Sequence, residues 1–132
     1  MSKCYTHIIF GECQSKANSR QIVFMKNTPR VIKSKKALAF SKALNEQVGV
    51  RDFLEGHLKA DIKIFYKDRR PDLDPSLVLD GLQDKWYKND RQIIAINCER
   101  YLDKEMPRVE VTISEVQWDE WEPKNNNDIL AR

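Results

Sequence analysis

The segment Leu58-Lys59-Ala60-Asp61-Ile62-Lys63-Ile64-Phe65-Tyr66 decides how the chain folds. Leu58, Ala60, Ile62, Ile64 and Tyr66 stand two apart, so an extended chain projects them to one side. Lys59, Asp61 and Lys63 project to the other, which makes this a strand with one buried face. Downstream, Asp74-Pro75 opens a helix over residues 75–83: Asp is a favoured N-cap, and Pro at the first helical position gives up no hydrogen bond. At 100° per residue, Leu77, Val78, Leu79 and Leu82 form its buried side, and Ser76, Asp80, Gln83 and Asp84 lie opposite. Residues 91–98 form an apolar strand, expected at the centre of the sheet. Val109, Val111 and Ile113 alternate with Glu110, Thr112 and Ser114 in a last strand.

Upstream, Ser34 caps a helix running to Gln47, with a core face of Ala37, Phe40, Leu44 and Val48. Before it come three strands: residues 5–10, then 21–25 and 30–32, the last two reading as an irregular basic hairpin. The order β-β-β-α-β-α-β-β is that of an α+β sheet with helices on one face.

With 132 residues the chain is about one domain and too short for a TIM barrel or a two-domain dehydrogenase. No stretch reaches the ~18 apolar residues of a membrane span. The first residues carry no signal-peptide pattern, so a cytoplasmic location is expected. Cys4, Cys13 and Cys98 lack the spacing of a zinc site or a disulfide framework. Four glycines do not build a phosphate-binding loop. His57 has no accompanying serine elbow. The net charge of +3 hides a split: residues 1–45 hold nine Lys/Arg against one Glu, and the remainder is net −5. A basic front half points to an anionic partner such as nucleic acid. The acidic end of the chain, with Trp118 and Trp121, is expected to be a tail over residues 117–132 behind a single domain over residues 1–116.

The chemistry concentrates in Arg69-Arg70-Pro71-Asp72-Leu73-Asp74-Pro75 and Asn89-Asp90-Arg91-Gln92. In an extended segment Asp72 and Asp74 project to the same side. Two close carboxylates repel unless a proton or cation intervenes, and Mg²⁺ is commonly held by one or two carboxylates with waters and phosphates. Strand–helix–strand geometry returns Asp90 toward the start of the helix as a third ligand. The alternatives are structural: Asp74 as a cap, Asp72 paired with Arg69 or Arg70, Asp90 as a turn residue. An EF-hand is excluded because Leu77 stands where its loop needs Gly. A phosphotransferase D-x-D is disfavoured because Lys67-Asp68-Arg69-Arg70, not an apolar strand, precedes the motif.

Arg70-Pro71-Asp72-Leu73-Asp74, Leu79-Asp80-Gly81-Leu82, Asn89-Asp90-Arg91-Gln92-Ile93 and the strand Pro107-Arg108-Val109-Glu110-Val111-Thr112-Ile113 together resemble the RusA family of Holliday junction resolvases. Lys16-Ala17-Asn18-Ser19-Arg20 is similar to the family's Asn-containing loop after the first strand. The resemblance spans roughly residues 6–116. It implies a mixed β-sheet with helices on one face, a homodimer, and a Mg²⁺-dependent endonuclease cutting four-way DNA junctions in recombination and repair. The metal-binding aspartates then fall on Asp72, Asp74 and Asp90, with Arg70 or Arg69 steadying the transition state. Arg20, Lys26, Arg30, Lys33, Lys35, Lys36 and Arg69 become the DNA contacts, and a phage or prophage origin fits the family. Two departures stand out. Pro75 replaces a common Asn. The family's helical lysine, four residues before Asp80, is Ser76 here, and the spacing is two residues shorter. Arg69, Arg70, Lys85, Lys88 and Arg91 are candidates to replace it. The competing reading is a branched-DNA-binding protein of the same fold with impaired catalysis, or one that acts on branched DNA other than four-way junctions.

Overall fold

A computed structural model describes residues 3–16 and 20–117, without the side chains of Arg20, Gln21 and Lys33. The elements follow the expected order: β1 (Cys4–Phe10), β2 (Arg20–Met25), β3 (Thr28–Lys33), α1 (Lys35–Gln47), β4 (His57–Tyr66), α2 (Ser76–Leu82), a 3-10 turn (Asp90–Gln92), β5 (Ile93–Leu102) and β6 (Arg108–Val116). Four strands form one sheet in the order β1-β6-β4-β5. β4 pairs antiparallel with β6 and parallel with β5, so the sheet is mixed. The parallel pair needs a crossover, and α2 lies on it.

β4 buries alternate residues, as its sequence pattern requires: Leu58, Ala60, Ile62, Ile64 and Tyr66 face inward. They meet Ile9 of β1 and Val109, Val111 and Ile113 of β6 in one core. α1 adds Ala37, Phe40 and Leu44, and α2 adds Leu77, Val78 and Leu82. The helices therefore cover one face. On the other face Asp61, Lys63, Asn97, Glu99, Glu110 and Thr112 line an open polar groove.

Three details differ from expectation. β5 is an edge strand rather than a central one. Its residues are half-buried or exposed along their whole length, because among the described residues no strand covers its outer side. Residues 90–92 form a turn rather than strand, since the Asn89 side chain accepts from the Arg91 N–H and Gln92 reaches back to the Asn89 N–H. The β2–β3 hairpin is regular and forms its own two-stranded sheet. Lys26 and Asn27 have φ of 52° and 66°, the paired left-handed values of a type I′ turn, whose twist matches that of the strands it joins.

Candidate active site

The segment from Lys67 to Pro75 links β4 to α2 and carries Asp72 and Asp74. Its main chain is gripped from several sides. Tyr66, the last residue of β4, donates its hydroxyl to the Asp72 carbonyl at 3.0 Å. Arg100 on the neighbouring β5 donates to the carbonyls of Arg69 (3.3 Å) and Pro71 (2.5 Å). The Cys13 thiol reaches the Asp74 carbonyl at 3.9 Å. Burial, then the negative charge of Asp74, pushes that thiol up to about 12, so it stays protonated and able to donate.

Asp74 is the best-anchored carboxylate. Its Oδ1 accepts from the Ser76 N–H (2.9 Å) and hydroxyl (2.5 Å), and its Oδ2 accepts from the Lys16 N–H (2.8 Å). Burial works to raise its pKa. The hydrogen bonds from Ser76 and Lys16, helped by the charge of Lys16, outweigh burial and hold it below the usual aspartate value. The expected N-cap is displaced by one residue: α2 begins at Ser76 with Pro75 at the cap position. The Asp74 carboxylate nevertheless serves the first N–H of that helix.

A cavity of about 270 Å³ opens beside these groups, lined by Lys16, Ser76, Leu79, Asp80, Asp90, Ile93 and Ile96. The turn after α2 thus does bring Asp90 back to the start of that helix. Asp74 holds the main chain of Lys16 and Ser76, both of which line the cavity. Tyr87 lies close to both Asp80 and Asp90: burial raises its pKa first, and the charges of those two carboxylates raise it further. The Asp72 side chain is exposed and is not among the cavity's lining groups. Among the described residues, no three His, Cys, Asp or Glu side chains close on one point.

A second cavity, of about 440 Å³, is lined by the cations Lys36, Lys67 and Arg70, the carboxylates Glu12 and Asp68, and Cys13, Gln14, Tyr66 and Pro71; Lys67 lies 4.0 Å from Glu12, and the cations outnumber the carboxylates. Cys13 and Tyr66, which hold the Asp72 and Asp74 carbonyls, are part of its wall. Arg70 accordingly lies with Lys36 in this basic cavity and not among the groups lining the acidic one. Lys26 sits at the hairpin tip, Arg30 on β3 and Lys35 in the first turn of α1, all exposed, as is Arg69. Arg20 and Lys33 are paired at the hairpin base. Asn18, Trp118 and Trp121 lie outside the described residues.

Two residues at the acidic cavity, Lys16 and Asp80, were not expected there from the sequence. The signal for Asp80 is that Ser76 and Asp80 lie four apart on the polar side of a short helix, and so share one face. The signal for Lys16 is weaker: it is one of nine basic residues in the front half of the chain.

The chain is thus a mixed sheet with helices on one face, with one cavity holding Asp80 and Asp90 and another in which cations outnumber carboxylates. Residues 12–114 match the family described as Endodeoxyribonuclease RusA, and the chain belongs to that family. No curated protein matches the sequence. The family membership makes this chain a DNA-binding endodeoxyribonuclease, a hydrolase of the Holliday junction resolvase class. No described helix is long and apolar enough to cross a membrane.

Proposed function

We propose that the chain hydrolyses a phosphodiester on paired strands of a four-way DNA junction, as a homodimer and with Mg²⁺. The observation that carries this reading is that Asp74 ties two cavities together, its carbonyl bonded by Cys13 of one and its carboxylate by Lys16 and Ser76 of the other. One holds Asp80 and Asp90; the other holds Lys36, Lys67 and Arg70 against Glu12 and Asp68.

The donor set suits Mg²⁺. All candidate ligands are hard carboxylate oxygens, and this ion needs only one or two of them because it keeps several waters. A preformed three-carboxylate cage is therefore not required. Asp90 would hold it from the cavity wall, and Asp74 and Asp72 from the linking segment. When bound, Mg²⁺ activates a water and offsets charge on the phosphate.

In the hydrolysis the water oxygen bonds to phosphorus, one P–O ester bond breaks, and the departing oxygen takes up a proton that the water has lost. The chain's own residues orient the strand for this. Lys36, Lys67 and Arg70 hold a neighbouring phosphate, and Arg69 lies on the same segment. Arg20, Lys26, Arg30, Lys33 and Lys35 spread further phosphate contacts along the hairpin and the start of α1, which fix register without reading bases. A two-fold axis presents two such sites to the two symmetric strands of a junction. One face of the hairpin supports self-association: Ile22, Phe24 and Val31 are 66%, 73% and 62% exposed and lie on the same side. Exposed apolar groups this concentrated commonly mark an interface.

The test is cleavage of end-labelled four-way junction, flap and linear duplex, each with Mg²⁺ or with a chelator. Metal-dependent paired nicks in the junction are expected. Equal cutting of linear duplex would sink the junction reading, and unimpaired cutting by Asp90→Asn would remove Asp90 from the site. The position of Ser76, where the family resemblance expects lysine, favours a second reading of binding without cutting. That reading predicts salt-sensitive junction affinity and no nicks.

A further inference from the structure

Of the described residues that line the acidic cavity, Lys16 alone is cationic. Its ammonium reaches Asp80 Oδ2 at 3.2 Å, and its charge also acts on Asp74. Its main-chain N–H is bonded to Asp74 Oδ2 at 2.8 Å, which fixes the root of the side chain against the anchored carboxylate. Of the other cations near this region, Arg70 faces the basic cavity, and Lys85 is spent on the Val48 carbonyl at 3.2 Å.

We infer that Lys16 provides, from the loop after β1, the positive charge that α2 lacks at Ser76, and that its ammonium contacts the phosphate being cut. The inference rests on the hydrolytic reading above. A phosphodiester gains negative charge as water adds to it, so a cation already placed at the cavity acts on the transition state more than on the bound strand. The ion pair with Asp80 suits a waiting position. Both side chains are about half exposed, at 52% and 48%, and pairs of this kind are weak enough to be exchanged for a phosphate. Asp80 then serves as a positioning residue, holding the ammonium toward the cavity until DNA arrives. Ser76 and Asp80 share one helix face, so a lysine at position 76 would enter the same cavity from the other side.

The experiment compares the parent chain with Lys16→Gln, Lys16→Arg and the double variant Lys16→Gln/Ser76→Lys. Cleavage of a synthetic four-way junction is followed at saturating protein with Mg²⁺, and junction affinity is measured separately in Ca²⁺. Lys16→Gln keeps the main-chain bond to Asp74, so its thermal midpoint should match the parent's. Its cleavage rate at saturation should fall by about 10²–10³-fold. Its affinity should fall far less, with the salt dependence of binding reduced by about one phosphate contact. Lys16→Arg and the double variant should each recover part of the rate. A Lys16→Gln rate within threefold of the parent overturns the inference. So does a loss confined to affinity, or a loss that neither Lys16→Arg nor the transferred lysine relieves. Absence of cutting by the parent instead overturns the hydrolytic reading, and this inference with it.

Discussion

Gly81 lies in α2 where that helix crosses α1, and its replacement by Ala tests how tightly the acidic cavity is seated on the core. A Cβ added there would stand 2.7 Å from both terminal methyls of Leu44 and 3.2 Å from its Cγ. Ordinary contact begins at 3.4 Å, so about 0.7 Å of movement is needed. Leu44 is 0% exposed and cannot swing aside into solvent. Gly→Ala in a helix otherwise gains about 0.8–1 kcal/mol, less near a helix end. Overpacking a filled core costs about 1–3 kcal/mol. The net expectation is a destabilisation of about 1 kcal/mol, or roughly 3–5 °C in Tm for a chain of this size. Because α2 carries Ser76 and Asp80, a shift of a few tenths of an ångström should also slow cleavage. The assay is urea unfolding of the single variants and of Gly81→Ala in a Leu44→Ala background. Leu44→Ala itself should cost about 2–5 kcal/mol, but it opens the space the new methyl needs. In that background Gly81→Ala should become stabilising. Stabilisation by Gly81→Ala in the parent, or the same effect in both backgrounds, would refute the reasoning.

Three other outcomes follow from contacts in the structure. Asp74 has a lowered folded pKa, so its stabilising contribution is complete above the unfolded value and disappears as pH falls through the folded one. Parent and Asp74→Asn should therefore differ in urea midpoint at pH 7, and the difference should shrink as pH falls below the usual aspartate range; a difference that does not change with pH would contradict this. Arg100→Ala removes two grips on the segment carrying Asp72 and should weaken Mg²⁺ dependence by about 10–100-fold while the fold persists, read from the Mg²⁺ titration of cleavage. Phe24→Asp on the exposed hairpin face should shift the sedimenting species toward monomer and abolish paired nicking; an unchanged sedimentation profile would clear that face of a role in association.

The framework was legible because it rests on short-range periodicity. Leu58 to Tyr66 and Val109 to Ile113 alternate in sequence and alternate in burial. Ala37, Phe40 and Leu44 are one helix stripe and one packed face. The centre of the sheet was not legible. The apolar run Ile93-Ile94-Ala95-Ile96 suits a strand covered on both sides, yet it belongs to an edge, because strand order depends on pairings 35 to 110 residues apart that no local pattern encodes. At the site, the return of Asp90 toward α2 followed from connectivity alone. The separation of Arg70 from that cavity did not, because side-chain direction at the end of a nonrepetitive segment is set by what grips its main chain. Lys16 was the hardest to foresee: its main chain bonds Asp74, 58 residues away, and its ammonium reaches Asp80 on α2, 64 residues away.

The grips on the Asp72–Asp74 segment have one property in common. Tyr66, Arg100 and Cys13 all bond to carbonyl oxygens, which every amino acid supplies alike. Their hold on the aspartates is therefore independent of which side chains stand at Arg69 and Arg70; Asp68 differs, because its carboxylate accepts from the Arg70 N–H. Arg69 and Arg70 are free to be exchanged as a pair. A library randomised at those two positions, with Tyr66, Asp68, Arg100 and Cys13 left alone, should yield enzymes that differ in which branched DNA they accept while keeping the same cutting centre.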